Sequence, residues 1–378
     1  MFTAHHASPV RPSRFFRARV GLLGLIALIA GLLVTLAGPP PAAVDAAQDQ
    51  VRVRYEWQLD VQNSGVEDDL YDVAFINEQV GLAVGNNATI LRTTNGGASW
   101  QRVTERRDRG TRFVDVVFTS PSEAWVRGGK DLLQTTNGGD TWRTVGLPQR
   151  CQDGTRAMSI SGPSIYLNCL IWVYRSDDAG RNWTELPGRL DLNDFESMAF
   201  TGPNQGLLVR SQGDGARFGA VAATNDGGQT WQVSSLLGGG QIAFDKVQFV
   251  SPTTGWIMPS RRETILGTRD GGQTWDGFFT GTRVQVDFHF LNDAMGFLLV
   301  HSDRPGRSTT GEVFGSLDGG QSWTSIGVLT NPAAMQAVHA PVPEHVWAVG
   351  QRGYIAHLRY VAIPLEPEAA PEAPAAEE

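Results

Sequence analysis

Lysine and cysteine are nearly missing from this chain. Two lysines, Lys130 and Lys246, stand beside 29 arginines, and the formal net charge is -8. A nucleic-acid binder needs a basic footprint, so that class is excluded. The seven histidines, among them His289, His301, His339, His345 and His357, show no metal-ligand spacing, and no metal site is expected. No phosphate-cradling glycine loop occurs, because the Gly-Gly pairs fall in turn motifs, and no cofactor is expected. The two cysteines, Cys151 and Cys169, are too few for a disulfide framework. They form either one disulfide or two buried thiols; a bond closing that loop contributes roughly 3 kcal/mol.

Long hydrophobic runs are missing too, with one exception. Residues 20–37 are mostly apolar and follow Arg11, Arg14, Arg17 and Arg19. A basic flank before such a run reads as a signal peptide or a membrane anchor. Cleavage after Ala46 would leave Val44 and Ala46 at the small-residue positions. Either reading exports the rest of the chain, to a periplasmic, lumenal or cell-surface location. No cysteine lies near the site for lipoprotein attachment. Residues 1–47 are therefore set apart from the fold. Residues 363–378 are almost all Pro, Glu and Ala, and are expected to be a disordered acidic tail. The globular part is expected over residues 48–362.

That middle part is built from a repeat. The first copy is Thr93-Thr94-Asn95-Gly96-Gly97-Ala98-Ser99-Trp100, and the second runs from Thr135 through Asn137 to Trp142. The third, Ser176-Asp177-Asp178-Ala179-Gly180-Arg181-Asn182-Trp183, is degenerate at Ala179 and Asn182. Three further copies centre on Asp226, Asp270 and Asp318 and end on Trp231, Trp275 and Trp323. Successive tryptophans are 41 to 48 residues apart. A period in the forties, with several short strands per repeat, is the mark of propeller blades.

The motif's chemistry is that of a turn. The Asp or Asn side chain accepts from nearby backbone N–H groups, and the glycines take positive φ. The hydroxyl residues brace the flanks, and the Trp anchors the hairpin in apolar space. One identical motif in every blade serves the blade, so Asn95, Asn137, Asp178, Asp226, Asp270 and Asp318 read as braces, not as calcium ligands or catalytic acids.

Six motifs give seven blades. After Trp323 comes another strand set near 335–339, 345–350 and 354–359 with no motif behind it. At the other end Tyr55-Glu56-Trp57-Gln58-Leu59 looks like the strand that follows each motif, and Trp57 lies one period before Trp100. The expectation is an all-β, seven-bladed propeller of four-stranded antiparallel blades, with the N-terminal strand completing the last blade and hiding the sheet edges.

The motif is the Asp-box, or BNR, repeat. Gly81-Leu82-Ala83-Val84-Gly85, then Ile90-Leu91-Arg92-Thr93 and the first box, resemble the photosystem II stability and assembly factors. Val346-Trp347-Ala348-Val349-Gly350 and Gly353-Tyr354-Ile355 repeat the pattern in the final blade. The resemblance covers residues 52–360. It implies an exported seven-bladed propeller that binds newly made membrane subunits and holds assembly intermediates without catalysis. The chain departs from the pattern at its third box, in insertions at 211–218 and 303–311, and in the acidic tail.

The expected partners are therefore proteins, probed by a monomeric scaffold and, where the leader is retained, beside a membrane. Arg261, Arg262, Arg304 and Arg307 lie in loops and are candidates for contacting acidic partner segments, with a solvated surface as the plainer alternative. Arg106, Arg107 and Arg109 stand beside Glu105 and Asp108, which compensate them. The rival function is an exported carbohydrate-binding or sialidase-like glycoside hydrolase propeller. Sialidases carry an aromatic-Arg-Ile-Pro signature on a first strand; here the one Ile-Pro is Ile363-Pro364, near the end of the chain. No catalytic residue is assigned.

Overall fold

The computed structural model describes residues 53–103, 110–188, 190, 195–210, 220–234, 236, 243–260, 262–281, 284–301, 310–329 and 334–365. The leader, residues 1–47, lies outside the described residues. The insertions at 211–218 and 303–309 and the tail from 366 also fall outside them, as do Arg106, Arg107 and Arg109.

Seven four-stranded antiparallel sheets follow one another along the chain, and together they make the seven-bladed propeller. Six of them span 70–102, 113–144, 157–185, 195–234, 244–279 and 284–329, each in simple up-and-down order. The seventh takes three strands from 335–364 and its outermost from Val53–Gln62. The N-terminal strand pairs with Ile355–Pro364 over ten rungs, so one sheet joins the two ends of the ring. That last strand runs two residues past the boundary expected for the tail: Ile363 pairs with Arg54 and Pro364 with Val53. Proline is tolerated there because the end of a strand does not need its missing N–H. One 3-10 turn, Gln149–Cys151, is the only helical element among the described residues.

The second strand of each blade is covered on both faces, and its sequence shows it. Gly81–Gly85, Ala124–Gly128, Gly206–Arg210 and Gly255–Pro259 are buried at every position. Such strands read as continuous runs, not alternating ones. Neighbouring blades meet through aromatic rings. Phe75 stacks on Trp347 at 3.7 Å between centroids, Phe200 on Tyr166 at 3.6 Å and Phe290 on Trp256 at 3.6 Å. Each ring sits on the inner strand of one blade and the second strand of the blade before it, so the core is a series of seven seams.

The boxes close one end of every blade but the last. In the first, Thr93 Oγ1 accepts from the Gly97 N–H at 2.8 Å and donates to Asn95 Oδ1 at 2.9 Å. Asn95 Oδ1 also accepts from the Ser99 N–H at 2.9 Å. The same three contacts recur around Asn137, Asp178, Asp226, Asp270 and Asp318. The third box holds this geometry although Ala179 sits at φ 57°, where the other five have glycine. Of the tryptophans, Trp142 and Trp275 donate to carbonyls of their own boxes, Gly139 O and Gly272 O. Trp183 donates to Gly146 O, while Trp231 and Trp323 pack edge-on against Phe200 and Phe290. Trp100 Nε1 reaches Gln62 Oε1 at 3.0 Å, and Gln62 Nε2 donates to Gly96 O, so the closing strand is tied to the first box.

Candidate functional site

Neighbouring inner strands contact one another in six of the seven places around the ring, and six of the seven strands carry a β-bulge at the same place. The residue after each bulge is Asp72, Asp115, Ser197, Lys246, Asp287 or Ala337. Where this side chain can accept, it takes a backbone N–H from the next blade. Asp72 Oδ2 accepts from Val116, Ser197 Oγ from Val247, and Asp287 Oδ2 from Val338, at 2.8, 3.1 and 2.9 Å. Two residues further on, Ser159, Gln248 and His339 accept from Phe200, Phe290 and Phe75 in the same way. The polar residues of the inner strands thus lace the ring together.

One group of these faces a shared central space. Lys246 Nζ lies 2.5 Å from Asp287 Oδ1, and its charge acts on Asp72, four blades away along the chain. Burial first, and then the Asp115 carboxylate, pushes Asp72 up to about 8. The Asp287 carboxylate and the two other acids hold Lys246 above its ordinary value against the cost of its burial. His289 and His339 lie 4.3 Å apart between ring centroids, both held neutral, first by burial. A second pair, His345 Nδ1 and His357 Nε2, is 2.9 Å apart at the closing seam; burial and then His345 bring His357 down to about 3. No cluster of three or more ligating side chains occurs among the described residues.

A wide opening lies at the end of the ring opposite the boxes, beside blades two and three. It is a cleft of about 930 Å³ lined by Arg112, Arg127, Lys130, Asp131, Arg156 and Glu196, among others. Arg112 and Arg156 lie just before the inner strands Phe113–Phe118 and Ala157–Ser161, and Lys130 lies in the hairpin between Ala124–Gly128 and Leu132–Thr135. Arg127 is buried and fixed, with Nε 3.3 Å from Asp115 Oδ2 and Nη1 3.3 Å from Thr155 O. Arg112 lies flat over the Tyr71 ring at 3.7 Å. Arg112, Lys130 and Arg156 are exposed and make no ion pair among the described residues. With a fixed buried arginine and three exposed cations against the carboxylates of Asp131 and Glu196, the lining keeps an excess of positive charge, which suits an anionic group on an otherwise acidic protein.

Of the arginines expected to contact a partner, Arg262 is exposed between Gly255–Pro259 and Thr264–Thr268 in blade five, away from this cleft. Arg261, Arg304 and Arg307 lie outside the described residues. The box residues are at the other end: Asp178, Asp226 and Asp270 are each brought to about 2 by hydrogen bonds, the first mainly from the Asn182 N–H and the others mainly from the Thr230 and Thr274 hydroxyls. They are turn braces in the structure. Cys151 and Cys169 are joined by a disulfide, which ties the 3-10 turn to the second strand of blade three.

Residues 50–188 match the family model described as photosynthesis system II assembly factor YCF48. No curated protein matches the chain. Among solved structures, YCF48 bound to D1 peptide is similar at TM-score 0.61 and 22% identity, covering 81% of this chain and 96% of that one. YCF48 from Cyanidioschyzon merolae is similar at TM-score 0.60 and 18% identity, covering 80% and 99%. A GH74 xyloglucanase from Xanthomonas campestris shares the fold at TM-score 0.60 and 14% identity, covering 79% of this chain and 53% of that one. The family model spans the closing strand and blades one to three, under half of the chain, and the solved structures share the propeller fold.

Proposed function

We propose that this propeller is an exported, non-catalytic scaffold that binds membrane-protein subunits or their assembly intermediates, and that it takes an acidic segment of such a subunit in the cleft of blades two and three. The observation that carries the reading is the cleft itself, where Arg112, Lys130 and Arg156, none in an ion pair among the described residues, surround the fixed Arg127 and outnumber the carboxylates of Asp131 and Glu196. The family match supports the class of partner, and the YCF48 neighbour, whose ligand is a D1 peptide, supports a peptide as the bound form. A rigid ring presenting loops at one end suits such a role. Export rests on the basic and apolar pattern of the leader. Likeness to glycoside hydrolases is a likeness of fold, and function is argued from the site.

The test is affinity capture of the tagged full chain from detergent-solubilised membranes of its own organism, read by mass spectrometry. Recovery of subunits of one membrane complex, enriched in precursor or incompletely assembled forms, is the expected result. A clean preparation with no membrane subunit, together with binding on a glycan array, overturns it in favour of the carbohydrate reading.

A further inference from the structure

The closing strand of blade seven is far longer than closure requires. In the other blades the outermost strand has two to six residues, such as Gln101–Arg102, Gln232–Ser234 and Thr324–Leu329. Val53–Gln62 has ten. Its neighbour, Ile355–Pro364, pairs with the blade's second strand, His345–Gly350, only from Ile355 to Arg359. Beyond that point residues 53–57 and 360–364 pair with each other as a two-stranded ribbon, anchored at its base by the Tyr360 N–H on Glu344 O at 2.9 Å and by Trp57 edge-on against Phe297 at 6.2 Å.

The ribbon is two-faced. Directly paired residues share a face, and alternate residues change face. Arg54 and Glu56 lie on one side and pair with each other at 3.4 Å. Val53, Tyr55 and Trp57 lie on the other, paired with Pro364, Ala362 and Tyr360. That second face carries no charge. Tyr55 stacks on Tyr360 at 5.5 Å, and Trp57 on Tyr360 at 5.3 Å, yet Tyr55 remains 59% and Tyr360 42% exposed. At its foot is a mainly apolar groove of about 490 Å³, lined by Phe297, Ile326 and Pro343, with Glu344 as its one charged residue, and bordered by Leu317, which is 75% exposed. A water-facing surface rarely gathers aromatic and aliphatic side chains in one largely apolar patch without a partner for them.

We infer that this ribbon face is a membrane-contact surface, and that its occupant is the interfacial zone of a lipid bilayer. Tyrosine and tryptophan, with an apolar body and a polar edge, are the side chains that favour this zone. The chain outside the ribbon points the same way. Residue 53 follows the 18-residue apolar run at 20–37 through residues 38–52, roughly 50 Å when fully extended. The strand that bears the patch is therefore the one tethered nearest to the segment read as a leader or anchor. With a net charge of -8 the protein gains nothing from anionic lipid. The contact is apolar, works on zwitterionic lipid and is insensitive to salt. This inference rests on the exported, membrane-adjacent placement in the proposed function.

The test places the photo-crosslinking residue p-benzoylphenylalanine at position 55, 360 or, as control, 233 of the full chain, reconstituted into phosphatidylcholine vesicles. Val233 is 42% exposed in blade four, so it reports exposure without the ribbon. The expected result is lipid adduct at positions 55 and 360 several-fold above that at 233, unchanged in high salt. Lipid labelling no greater than at 233 overturns the inference, as does crosslinking of positions 55 and 360 mainly to the chain's own residues or to a second copy. Partner capture from detergent extract does not need a bilayer. A Tyr55→Ser/Tyr360→Ser variant that still captures its subunit but loses vesicle contact shows both readings correct. Capture with no ribbon–lipid adduct sinks this inference alone, and adduct without capture sinks only the scaffold reading.

Discussion

Ala179 opposes its own backbone. It takes φ 57° at a position where the other five boxes have glycine, and a Cβ there costs about 1 kcal/mol. Ala179→Gly is expected to stabilise the propeller by roughly 0.5–1 kcal/mol, read as a higher midpoint in urea at unchanged slope. A lower midpoint would show that the alanine contributes packing that outweighs its strain. Asp72 makes the second residue-scale case. Its folded value of about 8 lies far above the ordinary 3.8, so the native state holds a proton that the unfolded chain releases. The sign follows: this group's contribution is fully present below about pH 4 and is lost as pH rises toward 8. Asp72→Asn keeps the acceptor for the Val116 N–H and removes the titration. It is expected to raise the melting temperature near pH 8 and leave it unchanged near pH 4. Parallel curves for variant and wild type across that range would contradict the assignment.

At the scale of the blade, regularity was readable and its exceptions partly so. The tryptophan spacing and the shared turn chemistry made six blades visible, and Trp57 one period before Trp100 made the closing strand visible. The bulge in six of the inner strands was not visible, because it inserts one residue without a glycine to mark it. The histidine pair was hidden for a related reason. His289 and His339 are fifty residues apart, yet they occupy the same place in consecutive inner strands, two residues after Asp287 and Ala337. Aligning the repeats on their inner strands, as well as on their boxes, would have found it. Blade three, with the weakest box, carries the disulfide. Cys151→Ala/Cys169→Ala is expected to cost about 3 kcal/mol of stability, measured against the oxidised wild type. An unchanged unfolding midpoint would mean that the strand pairing of blade three suffices without the bond.

On the scale of the whole molecule, the ring decides which residues become neighbours. Arg112, Lys130 and Arg156 are spread over 45 positions of sequence and belong to three loops of two blades. None forms a local run, so a search for clustered arginines found Arg261 and Arg262 instead, and the latter lies away from the cleft. Only the return of the chain to the same end of the ring with each blade brings the three cations together. The central claim is that this end binds an acidic segment of a membrane subunit. The measurement that tests it most directly is the capture experiment run in parallel with wild type, an Arg112→Ala/Lys130→Ala/Arg156→Ala variant and an Arg262→Ala control. All three substituted cations are exposed, so folding is expected to be intact, checked by an unchanged melting temperature. The account predicts that wild type and the Arg262→Ala control recover the same membrane subunit and that the triple variant loses it about tenfold or more. Equal recovery by all three proteins would contradict the claim and place the partner elsewhere on the propeller.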